Sequence, residues 1–146
     1  MIVKIKKLYF DAVIPTRGSD QAAGYDLYAR GLCGECAIIQ PHTTRMIGTG
    51  IAMEIPDGYF GGIYARSGLA TKSGLRPANC VGVVDSDYRG EIKVAVHNDS
   101  DQRQEIQDGD RIAQLIIQPY LSVEFEEADE LSGTERGSGG FGHSGV

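Results

Sequence analysis

A chain of 146 residues and 15.7 kDa has the length of one domain, enough to bury a single core without disulfides, which excludes a second catalytic domain. Lys and Arg number 14 against 20 Asp and Glu, a formal net charge of −6 with a pI near 5.0, which argues against electrostatic docking on DNA, RNA or an anionic membrane. An anionic ligand therefore has to be met by a few placed cations or a metal.

No apolar run approaches the ~20 residues of a membrane span. The first ten residues carry Lys4, Lys6 and Lys7 but no apolar stretch of the signal-peptide kind, so a cytoplasmic protein with its Cys reduced is expected. The 20 Gly are about twice the usual share of roughly 7% and point to many turns. Taken along the chain, short strands are predicted over residues 2–5, 45–55, 59–65, 80–84, 91–97, 111–118 and 120–126. The clearest are 91–97, where Ile92, Val94 and Val96 alternate with polar neighbours, and 120–126, where Leu121, Val123 and Phe125 do the same. Turn signals such as Pro56-Asp57-Gly58, Arg89-Gly90 and Asp108-Gly109 separate them. One stretch reads as a helix, residues 67–73, with Ser67 as its cap and Gly74 beyond its end. Many short strands and one short helix predict an all-β sandwich, barrel or jelly roll. Residues 1–131 form its body. Residues 132–146, rich in Gly and Ser, bury too little to order themselves and are expected to be a flexible tail.

Four segments carry chemistry. Arg66-Ser67-Gly68 lies where a strand hands over to the helix, so N–H groups, a hydroxyl and a guanidinium fork can converge on a phosphate there. The same tripeptide equally reads as an exposed Arg before an ordinary cap. Residues 82–90 run a strand into a carboxylate-rich turn, a hairpin by spacing, with Asp85 placed as a general base at the strand's end through partial burial. Asp85 and Asp87 equally serve as turn formers. In the tail, Arg136 and Phe141 sit among glycines that let a backbone wrap an anion, with Phe141 a stacking face for a base; a plain linker has the same composition. Cys33-Gly34-Glu35-Cys36 is a lone C-x-x-C with only His42 nearby, too few ligands for zinc, so its thiols are expected to be dispensable. His42, His97 and His143 form no metalloprotease spacing, and no Ser carries a nucleophile-elbow pattern.

In order, these segments resemble the five motifs of the trimeric dUTP pyrophosphatases. The motifs are residues 22–29 (Ala-Ala-Gly-Tyr-Asp-Leu-Tyr-Ala), 65–70 around Arg66-Ser67-Gly68, and 82–91 with Asn79 just ahead. Residues 109–115 (Gly-Asp-Arg-Ile-Ala-Gln-Leu) and the tail 136–145 complete the set. Departures are small: a variable stretch at 30–42, and His143-Ser144 where many relatives carry Ser-Thr. The resemblance implies a jelly roll of the β-clip type, assembled as a homotrimer with active sites shared between subunits. It implies hydrolysis of dUTP to dUMP and pyrophosphate, with Mg²⁺ held by the triphosphate and waters and by no direct protein ligand.

Asp85 then takes the proton of the water that attacks the α-phosphorus, and Arg66, Ser67, Gly68, Gln114 and Arg136 neutralise phosphate charge. Asn79, Val83, Val84 and Lys93 belong to the segment whose backbone reads the uracil edge. Tyr88 lies under the deoxyribose, Phe141 stacks on the uracil with Gly142 beside it, and Asp26 acts through the hydrogen-bond network or water on the metal. Two other readings remain at this point: a dCTP deaminase of the same fold, which would release ammonia from dCTP, and a regulatory trimer that binds nucleotide without turnover.

Overall fold

The protein is described from a computed structural model covering residues 1–32 and 36–140. Among these residues twelve strands and one helix follow in the order β1 (Lys4–Lys7), β2 (Thr16–Arg17), β3 (Tyr25–Tyr28), β4 (Ala37–Ile39), β5 (Thr44–Gly48), β6 (Ile51–Glu54), β7 (Tyr59–Tyr64), α1 (Ser67–Ser73), β8 (Leu75–Pro77), β9 (Gly82–Val84), β10 (Lys93–Asn98), β11 (Gln104–Ile106) and β12 (Arg111–Pro119). All pairings are antiparallel. A five-stranded sheet in the order β2-β3-β12-β7-β9 and a three-stranded sheet β5-β10-β8 are accompanied by the pairs β1-β6 and β11-β4. This is the expected all-β, jelly-roll type of architecture with one short helix. No helix among the described residues is long and apolar enough to cross a membrane.

The core is where period-two side chains from both main sheets meet. Val94 and Val96 of β10, Ile47 of β5, Leu27 of β3, Leu115 of β12 and Val84 of β9 share one buried cluster. Each such side chain contributes about 1.5–3 kcal/mol when fully buried. Among the described residues Asn98 is the one fully buried side-chain amide, and it is satisfied: its Nδ2 donates to the carbonyls of Ile39 (3.0 Å) and Gln102 (2.8 Å), and its Oδ1 accepts from Ser100.

Four expectations change. The run predicted over 45–55 is two strands, because Thr49 and Gly50 turn the chain, Gly50 at φ 68°. Ser67 does not cap the helix; it is the first helical residue, Arg66 holds the cap position, and no side chain closes the end. The segment 82–97 is not a two-stranded hairpin, since β9 pairs with β7 while β10 pairs with β5 and β8. Val84 and Ile92 each anchor in the core at either end of residues 85–91, and the Ile92 N–H donates to the Ile51 carbonyl (2.9 Å), so the loop crosses between sheets. Finally, residues 120–126 form no strand. Their alternation is real, but no strand lies beside them, and Leu121 (87%), Val123 (61%) and Phe125 (96%) stand exposed.

Candidate active site

The five-stranded sheet gathers three distant segments. In its β3-β12-β7 arrangement, Gln114 of β12 stands opposite both Asp26 of β3 and Tyr64 of β7, and β7 runs directly into Ala65, Arg66 and α1. Residues separated by up to 88 positions in sequence thus meet because β12 is the central strand. Gln114 Nε2 donates to the Ala65 carbonyl (2.8 Å), fixing the backbone just ahead of Arg66. On its other side the carboxamide lies against bare backbone: a Cβ at Gly24 would stand 2.4 Å from Gln114 Oε1. Only glycine leaves Gln114 in that position.

Asp26 sits between two guanidinium groups, accepting from Arg66 Nε at 2.7 Å and from Arg111 NH1 at 3.3 Å. Arg66 spends its Nε on this contact, and its two terminal nitrogens remain available as a fork. The surrounding cavity, about 540 Å³, is lined by Asp26, Arg66, Ser67, Gly68, Lys72, Arg111 and Gln114 together with small residues of the 18–24 loop. Three cations against one carboxylate give it a surplus of two positive charges on a chain whose net charge is −6. Such a cavity suits a polyanion with several phosphate oxygens. Ser67 is free to serve it, because its hydroxyl is not spent on capping.

Two of these cations escape a sequence reading. Arg111 and Gln114 are three apart, which in a regular strand puts them on opposite faces. A register shift between Arg111 and Ala113 changes that parity, and both line one cavity. Lys72 is visible in sequence only as the residue four beyond Gly68, one helical turn on the same face.

A second cavity, about 350 Å³, gathers the other expected residues: Asn79, Val83, Val84, Asp85, Tyr88 and Lys93, with Met46, Ile63, Glu91 and Ile92. Asp85 follows β9 directly and is exposed, so the partial burial expected for it is not found in the single chain. Val83 (63%) faces outward, whereas the Val84 side chain (7%) packs in the core and leaves only its backbone to a ligand. The Tyr88 hydroxyl donates to the Glu91 carbonyl (3.1 Å), setting its ring across the loop, and Lys93 Nζ lies 3.4 Å from Glu91 Oε2.

The two cavities are not one. Val84 of β9 pairs with Gly61 near the start of β7, and Arg66 follows β7 at its far end. Continued by one residue, that register puts Asp85 at the level of Phe60, six residues before Arg66, so about 20 Å of extended chain separates the two levels.

Arg136 meets neither cavity. Its Nε donates to the Gly139 carbonyl (2.8 Å) within its own turn. Phe141, Gly142 and His143 lie outside the described residues, as does Cys33. Cys36 is described, and its thiol is held above the usual range, first by a hydrogen bond with Glu105 and then by burial, which keeps it protonated and a poor ligand. Among the described residues no three metal-ligating side chains converge.

The dUTPase family model matches residues 11–145. The chain is 49% identical to the deoxyuridine 5'-triphosphate nucleotidohydrolase of Nautilia profundicola over 99% of each chain. It is 45% identical to the protein of that name from a Hydrogenobaculum species, over 100% of this chain and 99% of the relative. Among solved structures it resembles a dUTPase of Staphylococcus bacteriophage 80alpha with dUpNHpp, at a TM-score of 0.85 and 29% identity over 99% of both chains. Matches that run the full length of the chain, on a fold that brings three motif segments to one cationic cavity, make this chain a member of the dUTPase family.

Proposed function

We propose that the protein hydrolyses dUTP to dUMP and pyrophosphate at sites completed between copies of the chain in a homotrimer. The observation that carries this reading is the division of the site: a cationic cavity at Arg66 and a carboxylate-bearing cavity at Asp85, separate in one chain. The phosphate half alone has no general base, and the Asp85 half has no surplus of cations. Joined across a subunit interface they make a whole site. Uncovered apolar surface supports association: Leu121, Val123 and Phe125 are exposed, and a groove lined by Val3, Ile5, Ile14, Met53, Leu115 and Ile117 also lies open.

In this reading the Asp85 carboxylate accepts a proton from a water whose oxygen bonds to the α-phosphorus in line with the bridging oxygen. That P–O bond breaks, and pyrophosphate leaves. Arg66's free fork, the Ser67 hydroxyl and N–H groups of Ser67 and Gly68 stabilise the charge on the phosphate oxygens, while Asp26 and Gln114 hold Arg66 and its loop. Asn79, Lys93 and the exposed backbone at Val83 and Val84 serve the uracil, and Tyr88 serves the deoxyribose. A cytosine would leave groups unpaired there. Residues 132–146 close over the nucleotide, bringing Arg136 to the phosphates and Phe141 and Gly142 to the base.

Magnesium fits these residues as a passenger of the triphosphate. It keeps most of its waters and asks for no cage of protein ligands. When bound, it supplies positive charge to the phosphate oxygens. A cytoplasmic setting is supported by Cys36 and Cys80, both free thiols.

Pyrophosphate release from dUTP in magnesium buffer tests the activity, with dCTP and dUMP as controls. Asp85→Asn preserves shape and is expected to lose about 10² to 10⁴ in kcat, the usual contribution of a general base, while still binding nucleotide. Undiminished kcat in this variant would remove Asp85 from the role, and ammonia from dCTP would favour the deaminase reading.

A further inference from the structure

We propose that Lys72 binds the part of the triphosphate that leaves as pyrophosphate, a contact that separates triphosphate from monophosphate. The inference rests on the dUTP-hydrolysing reading of the same cavity. Lys72 is an exposed residue in the last turn of α1 and lines the cavity with Arg66, Gly68, Arg111 and Gln114. Side chains on a helix tilt toward its N-terminus, so the four-carbon stem of Lys72 runs back over the turn that holds Gly68. At Gly68 an added Cβ would meet nothing within 4 Å. The cavity is therefore open at Gly68, on the side of α1 that Lys72 also lines.

Charge completes the argument. Lys4 and Lys93 each stand within 4.0 Å of a carboxylate, at 2.9 and 3.4 Å; Lys72, like Lys6 and Lys7, has no ion pair among the described residues, and of these three it is the one that lines this cavity. The cavity's single carboxylate, Asp26, is taken by Arg66 and Arg111, so the Lys72 charge has no counterpart until an anion arrives. Position assigns it to the distal phosphates. Arg66 and Ser67 follow directly from β7, while Lys72 lies a full helical turn further along α1. The reacting α-phosphorus must sit where this cavity meets the Asp85 half-site, leaving the cavity's interior to the β- and γ-phosphates.

A helix-end lysine also complements the helix dipole, and that role predicts something different: a lower melting temperature with unchanged ligand binding. Lys72→Gln keeps a good helix former at an exposed position. Its expected behaviour is a melting temperature like the wild type's and about tenfold weaker affinity for both dUTP and pyrophosphate, the equivalent of about 1.4 kcal/mol. Its dUMP affinity should stay within about twofold of wild type, Lys72→Arg should recover most of the loss, and the KM for dUTP should rise less steeply with salt in Lys72→Gln than in the wild type. Unchanged pyrophosphate affinity, or an equal loss for dUMP, would overturn the assignment. A wild type that releases no pyrophosphate from dUTP would instead overturn the hydrolysis reading, so the two failures are distinguishable.

Discussion

Gly24→Ala should disable catalysis while barely touching the fold. The added methyl would lie 2.4 Å from Gln114 Oε1, 3.2 Å from Cδ and 3.3 Å from Cβ. The last of these atoms is tied to the β12 backbone, so swinging the terminal amide aside does not remove the whole clash. The carboxamide has to retreat by about 1 Å to reach ordinary van der Waals contact of about 3.5 Å. Its donation to the Ala65 carbonyl, 2.8 Å long, is then lost. One such bond contributes about 0.5–1.5 kcal/mol, which lowers the melting temperature by about 1–6 °C in a domain of this size. Activity should suffer more. Gln114 leaves the phosphate cavity, the loop ahead of Arg66 loosens, and a misplacement of about 1 Å costs on the order of 10²-fold in rate. Steady-state pyrophosphate release, run beside a thermal melt, separates the two effects. In a Gln114→Ala background the same substitution should cost little more, since the carboxamide is gone and only the 3.3 Å approach to Cβ remains. A Gly24→Ala enzyme with kcat within about twofold of wild type would refute the positioning argument.

Truncation after Leu131 should leave the β core and its assembly intact, because residues 134–139 make their hydrogen bonds within their own segment. It should lower kcat far more than dUMP affinity, and full-rate turnover would reduce the tail to an inert end. Replacing Cys33 and Cys36 together with Ser should leave dUTP hydrolysis unchanged, a result that stoichiometric zinc in the purified protein would contradict. Asp99 is held below the usual carboxylate range, first by its hydrogen bond from Arg76, and then by the charges of Arg76, His97 and His42 against an opposing desolvation. A carboxyl depressed in the folded state binds fewer protons folded than unfolded near pH 4, so its stabilisation is present above that pH and fades as pH falls through the folded value. Arg76→Gln should therefore be less stable than wild type at neutral pH, with the gap narrowing in acid; a gap that widened on acidification would contradict the sign.

What the sequence made legible followed from pattern length. Residues 91–97 alternate and 111–118 form an apolar run long enough to announce strands, and β10 and β12 lie within a residue or two of those bounds. Strands of two to four residues, such as β2, β4 and β11, are too short for a period to register and exist because a neighbour pairs with them. The 82–97 segment looked like a hairpin because spacing cannot tell a turn back along the same sheet from a crossing to another; the core positions of Val84 and Ile92 decide it. The site residues were legible as types, Arg66 and Ser67 before a helix, Asp85 after a strand. Their grouping was not: the bulge that brings Arg111 beside Gln114 has no sequence signature. The alternation at 120–126 reads as a half-buried strand, yet no strand pairs with it in the single chain, and Leu121, Val123 and Phe125 stand exposed.

The claim that one site needs two chains is tested most directly by mixing two dead enzymes. Asp85→Asn and Arg66→Ala chains, each inactive alone, are refolded together in equal amounts and assayed for pyrophosphate release from dUTP. If Asp85 and Arg66 of a working site come from different copies, about a quarter of the sites in random hybrids combine two intact halves, and the mixture recovers about a quarter of wild-type activity. If each chain builds its own site, every site carries one defect, and activity no greater than that of the two parents would contradict the account.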